Sequence, residues 1–500
     1  MGSTFMGLET ARRSLTTHQW ALQATGNNVA NASNPGYSRQ RLSLGMTEQL
    51  SVNFGGTKAG QFGTGVRGET LARIRDLMID QQYRDETVKN SFYATKEAAF
   101  GRMEDIINEP SENGLAKALD LFWGSLQDLS VNPDDTGARS VVRQRAMTLT
   151  ETFNYMSSSL TKVQDDLKSE ADVVIKKVND LLTKISDVNR QIGDAEPIGV
   201  LPNELYDERD RYMDELAQYI EFDRKPVDYL NGETRGNSQR MAEGRIDIVV
   251  NIGTKAAPNN VTLVDAIGGG IGKFDGLELT DAAGTVIPLT HSDIPNGKLK
   301  ALVEMYGENG SEGIDGAFTV MLKDLDEMAL QFATAFNTSH SGNIDAAGVA
   351  GTNQFFDNMT SAADITVGDA IMKNLDLIAA SKDGNIGDGS GALALADLKN
   401  QVLSFTEGSV TTNASIGKYY QNIIGNMAVS ASQSGSLAKS TFALMASSDQ
   451  RRQSVSAVSL DEEMTMMIQY QHAYNAAARN ITAVDEMLDK IINGMGVVGR

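Results

Sequence analysis

Apolar residues recur at steps of three and four positions, without a break, from Val142 to Ile192. The positions are Val142, Ala146, Leu149, Phe153, Met156, Leu160, Val163, Leu167, Ala171, Val174, Val178, Leu181, Ile185, Val188 and Ile192. A heptad pattern held over so many turns predicts a supercoiled helical rod with a helical partner, and not a compact bundle. At about 1.5 Å per residue this helix would be roughly 75 Å long.

Both ends of the chain carry the same spacing on shorter amphipathic helices. The predicted N-terminal seam consists of Leu8, Leu15, Leu22 and Val29. The predicted C-terminal seam consists of Leu460, Met464, Met467, Tyr474, Ile481, Leu488 and Ile492, with a second apolar stripe beside it. Two stripes indicate more than one neighbour, although terminal helices that only close a globular core would show the same period.

The remaining pattern predicts more helices and two less regular segments. Helices are expected over residues 74–107, 114–129, 203–219, 317–339, 393–405 and 411–445. Residues 61–67 are Gly-rich and are expected to form a loop. Between Phe222 and Pro295 the period changes to two, which predicts short strands over 245–252, 261–264, 274–279 and 286–289.

Composition excludes several classes of function. The chain has 500 residues, so two to four domains are expected, and its net charge of -21 with no basic stripe makes nucleic acid an unlikely partner. We find no apolar run of membrane-spanning length and no cleaved signal peptide at the N-terminus, so membrane insertion is not expected. Cysteine is absent, which suits an exported protein built without disulfides but also occurs in cytosolic proteins.

Few residues suggest chemistry. The four histidines, His18, His291, His340 and His472, are isolated in sequence, so we predict no metal site. The GIGK at 270–273 lacks the flanking residues of a phosphate-binding loop, and the acidic, Gly-rich residues 383–391 lack the ligand spacing of a calcium loop. No pair of carboxylates stands out as an acid and a base, so we predict no catalytic residue and no cofactor.

Three stretches resemble the bacterial flagellar axial proteins, the family of rod, hook and hook-associated proteins. NNVANASNPGYSRQRLSL, at 27–44, is similar to the N-terminal signature of that family, through Asn27, Asn28, Asn31, Pro35, Gly36 and Tyr37. Residues 459–496 are similar to its C-terminal signature. NELYDERDRYMDEL, at 203–216, resembles an internal motif of a hook-associated member.

The periodicity and the resemblance together predict a mainly α protein with a β-rich insert, elongated and multi-domain, in which the N- and C-terminal helices pair as a coiled coil. We predict a terminal inner domain (1–70 with 455–500), a helical rod domain (71–225 with 296–454, including an irregular excursion over 342–390) and a β-rich outer insert (226–295). The bundle around the long heptad helix would form the rod.

The function that the resemblance implies is a structural adaptor joining the flagellar hook to the filament. Its expected partners are identical subunits, the hook protein, a second hook-associated protein on the filament side and a cytoplasmic export chaperone that holds the C-terminal helix. Export through the flagellar type III apparatus would place it outside the cell. The alternatives are another axial subunit, of hook, rod or filament type, and an enzyme displayed in the insert.

Overall fold

A computed structural model of the chain describes residues 4–53, 59–108, 111, 114–227, 243–253, 258–290, 293–307, 316–357, 360–407 and 410–494. Contacts between residues divide it into two compact units. Unit 1 comprises Met1–Val88, Lys176–Pro295 and Phe442–Arg500, and unit 2 comprises Lys89–Ile175 and Asn296–Thr441. The predicted division into three domains differs from this one, because unit 1 holds the terminal helices together with the predicted insert.

The chain is mainly α, as predicted, with small antiparallel sheets. The helices are α1 (Thr4–Asn31), α2 (Leu77–Ile107), α3 (Leu115–Val131), α4 (Thr136–Ala195), α5 (Asn203–Leu216), α6 (Lys298–Tyr306), α7 (Ala317–Ser341), α8 (Asp369–Lys373), α9 (Ser390–Asp397), α10 (Ile416–Ser456) and α11 (Leu460–Gly494). The strands before α6 are β1 (Gln40–Met46), β2 (Leu50–Asn53), β3 (Ala59–Phe62), β4 (Val66–Arg73), β5 (Asp223–Val227), β6 (Arg245–Asn251), β7 (Asn260–Val264), β8 (Lys273–Asp275), β9 (Glu278–Thr280) and β10 (Val286–Pro288). Those after it are β11 (Phe356–Asp357), β12 (Thr366–Val367), β13 (Leu403–Glu407) and β14 (Val410–Ala414).

The long heptad helix is confirmed as α4, and every predicted heptad position except Val163 is buried. The helix begins where the Asp135 carboxylate accepts a hydrogen bond of 2.8 Å from the amide of Gly137, which satisfies one of the free donors of the first turn. It ends at a short 3₁₀ turn that contains Pro197, and Gly199 follows at a φ of 85°. Only glycine adopts that left-handed conformation without strain.

Three local predictions are wrong. Residues 61–67 are not a loop, because β3 and β4 cover most of them: β2 pairs with β3 inside a longer β1–β4 hairpin. Residues 274–279 are not one strand, because Gly276, at a φ of 61°, turns the chain between β8 and β9.

The third error concerns the helices predicted over 393–405 and 411–445. Residues 403–405 and 411–414 instead form the β13–β14 hairpin. The Phe405 ring stacks on Tyr419, with ring centroids 3.9 Å apart. Apolar residues alternate with polar ones in β13 and threonines follow one another in β14, a composition that favours strands.

Unit 1 contains two sheets from the predicted insert, with strand orders β5-β6-β7 and β10-β9-β8. The Asn189 amide on α4 donates to the Ile246 carbonyl at 2.7 Å, and the Arg209 guanidinium on α5 donates to the Gly244 carbonyl at 2.7 Å. Because of these bonds the described part of the insert is attached to the helices of its unit. Residues 228–242 and 254–257 of the insert, and His291, lie outside the described residues.

Unit 2 is built on an aromatic core. The buried rings are Phe122, Trp123, Phe153, Phe332, Phe336, Phe355 and Phe356. Phe336 lies 4.8 Å from Phe355 and Phe332 lies 5.0 Å from Phe356, measured between centroids, in the tilted geometry that aromatic pairs prefer.

His340 lies at the edge of this aromatic core and is completely buried. Its Nε2 accepts a hydrogen bond of 3.0 Å from the Ala379 amide, so this nitrogen carries no proton. Burial lowers the pKa of His340 from 6.5 to about 4. The folded protein therefore holds a neutral imidazole where an unfolded chain would be protonated in mild acid.

We expect this histidine to make the stability of unit 2 depend on pH. Its pKa is lowered by folding, so its contribution is fully present above about pH 6.5 and is lost as the pH falls toward 4, because the unfolded chain gains a proton first. Between pH 7 and 5 the loss is roughly 2 kcal/mol. His340→Gln should abolish this part of the pH dependence of thermal unfolding. The exposed His472→Gln should retain it, and equal slopes for the two variants would contradict the prediction.

Candidate assembly site at the paired terminal helices

The N- and C-terminal helices pack side by side along most of their length, and no other two elements of the described chain pack as extensively. They run antiparallel: Gly7 lies near Val484, His18 lies 6.1 Å from Tyr470 between ring centroids, and Asn28 lies against Glu463. The sequence predicted this pairing. The described chain thus brings its two ends together as one helical hairpin, which we call the terminal hairpin (α1 and α11).

The centre of the terminal hairpin differs from the predicted seam. Leu8, Leu15, Leu22 and Val29 are only half-buried, and the fully buried residues of α1 are small or polar: Ala11, Thr17, Ala21, Ala24, Thr25 and Asn28. Small side chains allow the two helices to approach closely. The leucines therefore lie at the margins of the contact.

The predicted seam of α11 is split between two environments. Met467, Tyr474, Ile481 and Leu488 are half-buried. Leu460, Met464 and Ile492 are exposed by 52%, 50% and 73%. Ile468, Met487 and Ile491 are also exposed. One face of α11 is thus used within the chain, and large apolar residues remain exposed along the helix.

The family motif forms the turn that connects α1 to β1. Asn34 accepts a hydrogen bond of 3.2 Å from the Tyr37 amide, with Pro35 and Gly36 at the centre of the turn. Gly36 has a φ of 80°, and a Cβ at this position would lie 2.4 Å from the Arg211 side chain. The predicted tight turn is confirmed, and glycine is required there both by backbone conformation and by space.

Asn28 is the polar centre of the motif and is 1% exposed. Its amide nitrogen donates to the Gln40 carbonyl at 2.8 Å and to the Glu463 carboxylate at 3.0 Å. Its amide oxygen accepts from the Gln40 amide at 3.0 Å and from the Tyr37 hydroxyl at 2.9 Å. One side chain therefore joins α1, β1 and α11.

Tyr37 serves as a hydrogen-bond donor in this arrangement. Burial, and next the nearby Asp207 carboxylate, raises the pKa of Tyr37 to about 12, which keeps the hydroxyl protonated at neutral pH. Asn31 donates to the side-chain oxygen of Asn27 at 2.9 Å, so these two motif residues extend the polar cluster along α1.

Arg39 binds the start of α11. Its Nε lies 2.6 Å from the Glu463 carboxylate, its Nη1 lies 2.6 Å from the Glu462 carboxylate, and its backbone amide donates to the Ser456 carbonyl at 3.0 Å. Glu462 thus accepts from a side chain near the opposite terminus. These contacts set the direction in which α11 leaves α10.

A buried ionic network lies beneath the terminal hairpin and is centred on α5, the NELYDERDRYMDEL segment. The Asp210 carboxylate, 1% exposed, lies 3.0 Å from Arg73, 2.9 Å from Arg75 and 3.2 Å from Arg84. Asp207 accepts from Ser38 and Arg73, both at 2.6 Å. The network thus joins α5 to the turn after α1, to β4 and to α2.

The same network reaches the end of α10 and the insert. Asp214 binds Arg84 at 2.7 Å and Arg452 at 2.6 Å, and the Arg452 guanidinium lies 3.9 Å from the centroid of the Tyr83 ring. Glu243 pairs with Arg73 and Arg209. Elements from both ends of the chain are therefore held on one helix of unit 1.

The ionisation of Asp210 follows from its neighbours. Burial opposes the charged carboxylate, but the combined attraction of Arg75, Arg73 and Arg84 outweighs it and holds the pKa of Asp210 well below its ordinary value. The carboxylate therefore stays charged throughout the physiological range, and the network is not a pH switch.

This network was not predicted from the sequence, although a signal was present. Asn203, Asp207, Asp210 and Asp214 are spaced by four, three and four residues, which places them on one helical face. Arg73 and Arg75 stand together where β4 ends. The pattern did not show that this acidic face is buried, because a charged face is usually exposed to solvent.

The arrangement is suited to holding helices together and offers little for chemistry. Within the described ranges no cluster of three or more His, Asp or Glu side chains could hold a metal ion. In the acidic loop at 383–391, Asp388 accepts hydrogen bonds from Ser381 at 2.6 Å and Ser390 at 2.9 Å. None of the described helices has both the length and the apolar content needed to cross a membrane.

Comparison with known proteins identifies related families. The model described as "Flagellar hook-associated protein FlgK helical domain" matches residues 100–356. The model described as "Flagellar basal body rod FlgEFG protein C-terminal" matches residues 449–494, which include α11.

Individual relatives agree with these matches. Flagellar hook-associated protein 1 of Bacillus subtilis (strain 168) is 41% identical over 521 residues, covering 100% of both chains. Its counterpart in Escherichia coli (strain K12) is 23% identical over 374 residues, 72% of this chain and 63% of that protein. The flagellar hook junction protein FlgK from Burkholderia pseudomallei has a similar fold, with a TM-score of 0.58 and 13% identity over 75% of this chain and 100% of that one.

Loss of the Asn28 side chain should loosen the terminal hairpin. Asn28→Ala removes the side-chain partner of the buried Gln40 backbone groups and of one oxygen of the Glu463 carboxylate, which should cost roughly 2–4 kcal/mol. We expect faster amide hydrogen exchange in α1, β1 and α11. The exposed Gln19→Ala on the same helix is the control. Unchanged protection of α11 in Asn28→Ala would contradict the role assigned to this residue.

Removal of the central charge of the ionic network should destabilise unit 1. Asp210→Asn leaves three buried guanidinium groups with too few carboxylates, at a cost of about 3 kcal/mol or more. Asp85→Asn removes the same charge from an exposed site on α2 and should change stability by less than about 0.5 kcal/mol. Urea unfolding, with hydrogen exchange to locate the transition in 66–84 and 203–216, measures both. Equal stabilities would show that the network is not needed to hold unit 1 together.

Proposed function

This chain belongs to the family of flagellar hook-associated protein 1, and on that basis we propose that it joins the flagellar hook to the filament by packing its terminal hairpin against neighbouring subunits. The observation that supports this mechanism is the outer face of α11, where Leu460, Met464 and Ile468 are each about half exposed. They are spaced by four residues and form one apolar ridge. Such a surface marks an interaction site more often than a solvated face.

The alternative of a different axial subunit is less well supported. The C-terminal match is to a model described for flagellar basal body rod proteins, but the helical match over residues 100–356 carries the description of the hook-associated protein. The alternative of an enzyme in the insert has no supporting observation, since the relatives are structural flagellar proteins. We therefore propose a structural role without catalysis.

The proposed partners are identical subunits, the hook protein on one side and a second hook-associated protein on the filament side. We also propose that the protein is exported through the flagellar type III apparatus and acts outside the cell. A chain that leaves in this way must unfold its terminal hairpin and form it again at the growing tip.

An export chaperone is the proposed cytoplasmic partner of α11. Before assembly this helix presents Leu460, Met464 and Ile492 to solvent, and release from α1 would add Tyr474 and Ile481. An amphipathic helix of this kind fits a hydrophobic groove. A chaperone that covers the apolar face of α11 would also prevent aggregation of the chain in the cytoplasm.

Deletion of the gene should yield cells with complete hooks and no filaments, because the adaptor between them is missing. Electron microscopy of the deletion strain and a motility assay measure this outcome, and reintroduction of the wild-type gene is the control. Normal filaments on the deletion strain would disprove the junction role.

A charge on the outer ridge should block assembly without unfolding the subunit. Met464→Asp places a carboxylate where we propose a buried contact, which should cost about 2 kcal/mol or more per interface. Met464 is half exposed in the single chain, so thermal unfolding should not change. We expect the variant in the culture medium and few filaments on the cells. Asn475→Asp, an exposed change on the same helix, should assemble normally.

The chaperone contact can be tested separately. A chain that ends at residue 458 should lose most of its affinity for the chaperone, and a peptide of residues 459–500 should retain it, since the anchors lie on α11. Leu488→Asp within that peptide should weaken binding roughly tenfold or more. Calorimetry with the purified chaperone measures these affinities, and full binding by the truncated chain would refute the location of the contact.

A further inference from the structure

A cleft of about 1040 Å³ opens beside α1 in unit 1. Helix α1 contributes Trp20, the β1–β4 hairpin contributes Leu42 and Leu71, and the start of α5 contributes Leu205. Trp20 is 52% exposed. We call this site the Trp20 cleft. Polar side chains, among them Gln23 and Asn27, line the rest of the cleft. Its apolar residues and its size suit several large side chains of a protein partner.

Acidic residues at the Trp20 cleft indicate which charge its partner carries. Glu204 lines the Trp20 cleft, is exposed and forms no ion pair with any residue that the structure describes. Glu69, also at the cleft, lies 3.5 Å from Arg67. The cleft therefore favours an apolar segment that carries a lysine or arginine.

A segment with these properties lies on α11 of the same chain. Met487 and Ile491 are 57% and 42% exposed, and Lys490 stands between them in sequence, exposed and without an ion pair to any described residue. Positions i, i+3 and i+4 share one helical face. Val484, three residues before Met487 and on the same side of α11, lies near Gly7 in the first described turns of α1. The exposed ridge therefore continues the α1-facing side of α11 toward the C-terminal end of that helix.

The ridge cannot reach the cleft of its own chain. Tyr470 lies beside His18, close in sequence to Trp20, and Met487 is 17 residues farther along α11. At about 1.5 Å per residue this separation is roughly 25 Å along a continuous helix. An intact α11 therefore offers its ridge only to another molecule.

We propose that the Trp20 cleft of one subunit receives the Met487–Lys490–Ile491 ridge of a second copy of this chain, with Lys490 paired to Glu204. This inference rests on the proposed assembly of identical subunits. The contact is head-to-tail, because each copy uses its cleft for one neighbour and its ridge for the next. If neighbouring hairpins are parallel, adjacent copies are displaced by roughly 25 Å along the hairpin axis.

The absence of cysteine from the chain permits a direct cross-linking test. Glu204→Cys and Lys490→Cys are combined in one gene and expressed in the deletion strain, and isolated flagella are oxidised. We expect a ladder of dimers and higher multimers on a non-reducing gel. The control combines Glu204→Cys with Asp485→Cys, which is exposed on α11 but turned about 140° away at about 100° per residue. The control should remain monomeric.

A charge exchange tests the same contact without cysteine. Lys490→Glu places like charges together at every repeated contact, so the fraction of cells with filaments should fall roughly tenfold. Glu204→Lys in the same gene should restore filaments, and Glu204→Lys alone should fail as Lys490→Glu does. If the double variant does not regain filaments, the pairing is wrong. The pairing is also wrong if the cross-linking test joins the chain to a different protein and not to a second copy.

The outcome separates this inference from the proposed function. If the double-cysteine chain is found at hook tips by immunogold labelling but forms no ladder, the cleft-to-ridge contact is wrong and the junction role stands. If wild-type chain is absent from hook tips, the junction role itself is wrong. Ladders from both cysteine pairs would show contacts without the proposed specificity and would also overturn the inference. If the double-cysteine chain does not assemble, the charge exchange between Glu204 and Lys490 tests the contact: restored filaments support it, and absent filaments overturn it.

Discussion

The buried carboxylate of Asp210 is the contact on which the rest of unit 1 depends. Three arginines, Arg73, Arg75 and Arg84, bind it from the end of β4, the following linker and α2. A buried pair of this kind adds little stability over a well-packed apolar core, but the loss of one partner is costly because the other charge stays buried. The network therefore acts mainly as a constraint on geometry: the acidic face of α5 accepts its partners only in one arrangement.

Hydrogen bonds and ion pairs connect this ionic network to the terminal hairpin, so the network also restricts how the hairpin is placed. Ser38 binds Asp207 of the network, and the adjacent Arg39 binds Glu462 and Glu463 at the start of α11. Asn28 adds the connection from α1. A helical pair held only by small apolar residues could slide or rotate, since such contacts are not directional. The hydrogen bonds and ion pairs at its base define its register.

A fixed register is what an assembling subunit needs. The exposed apolar residues of α11 lie at defined positions along the axis of the terminal hairpin, and the Trp20 cleft lies at a different position along that axis. If the proposed contacts form, the distance between ridge and cleft becomes the displacement between neighbouring subunits. The register of each subunit would then be set by the polar contacts at the base of the terminal hairpin, and the displacement between subunits by the length of α11.

The sequence alone determined the helices with long regular periods and the family. The heptad positions of α4 and the turn at Pro35–Gly36 follow from local spacing, which the fold preserves. The pairing of α1 with α11 follows from the family resemblance. Tertiary structure decided the rest. The β13–β14 hairpin formed where a helix was predicted, because the Tyr419 ring, which stacks on Phe405, and a partner strand stabilise it. The burial of Asp210 and Asn28, and the position of the predicted leucines at the margin of the terminal hairpin, depend on partners far away in the chain. A period identifies a helical face, but only packing determines whether that face meets solvent, an arginine or another helix.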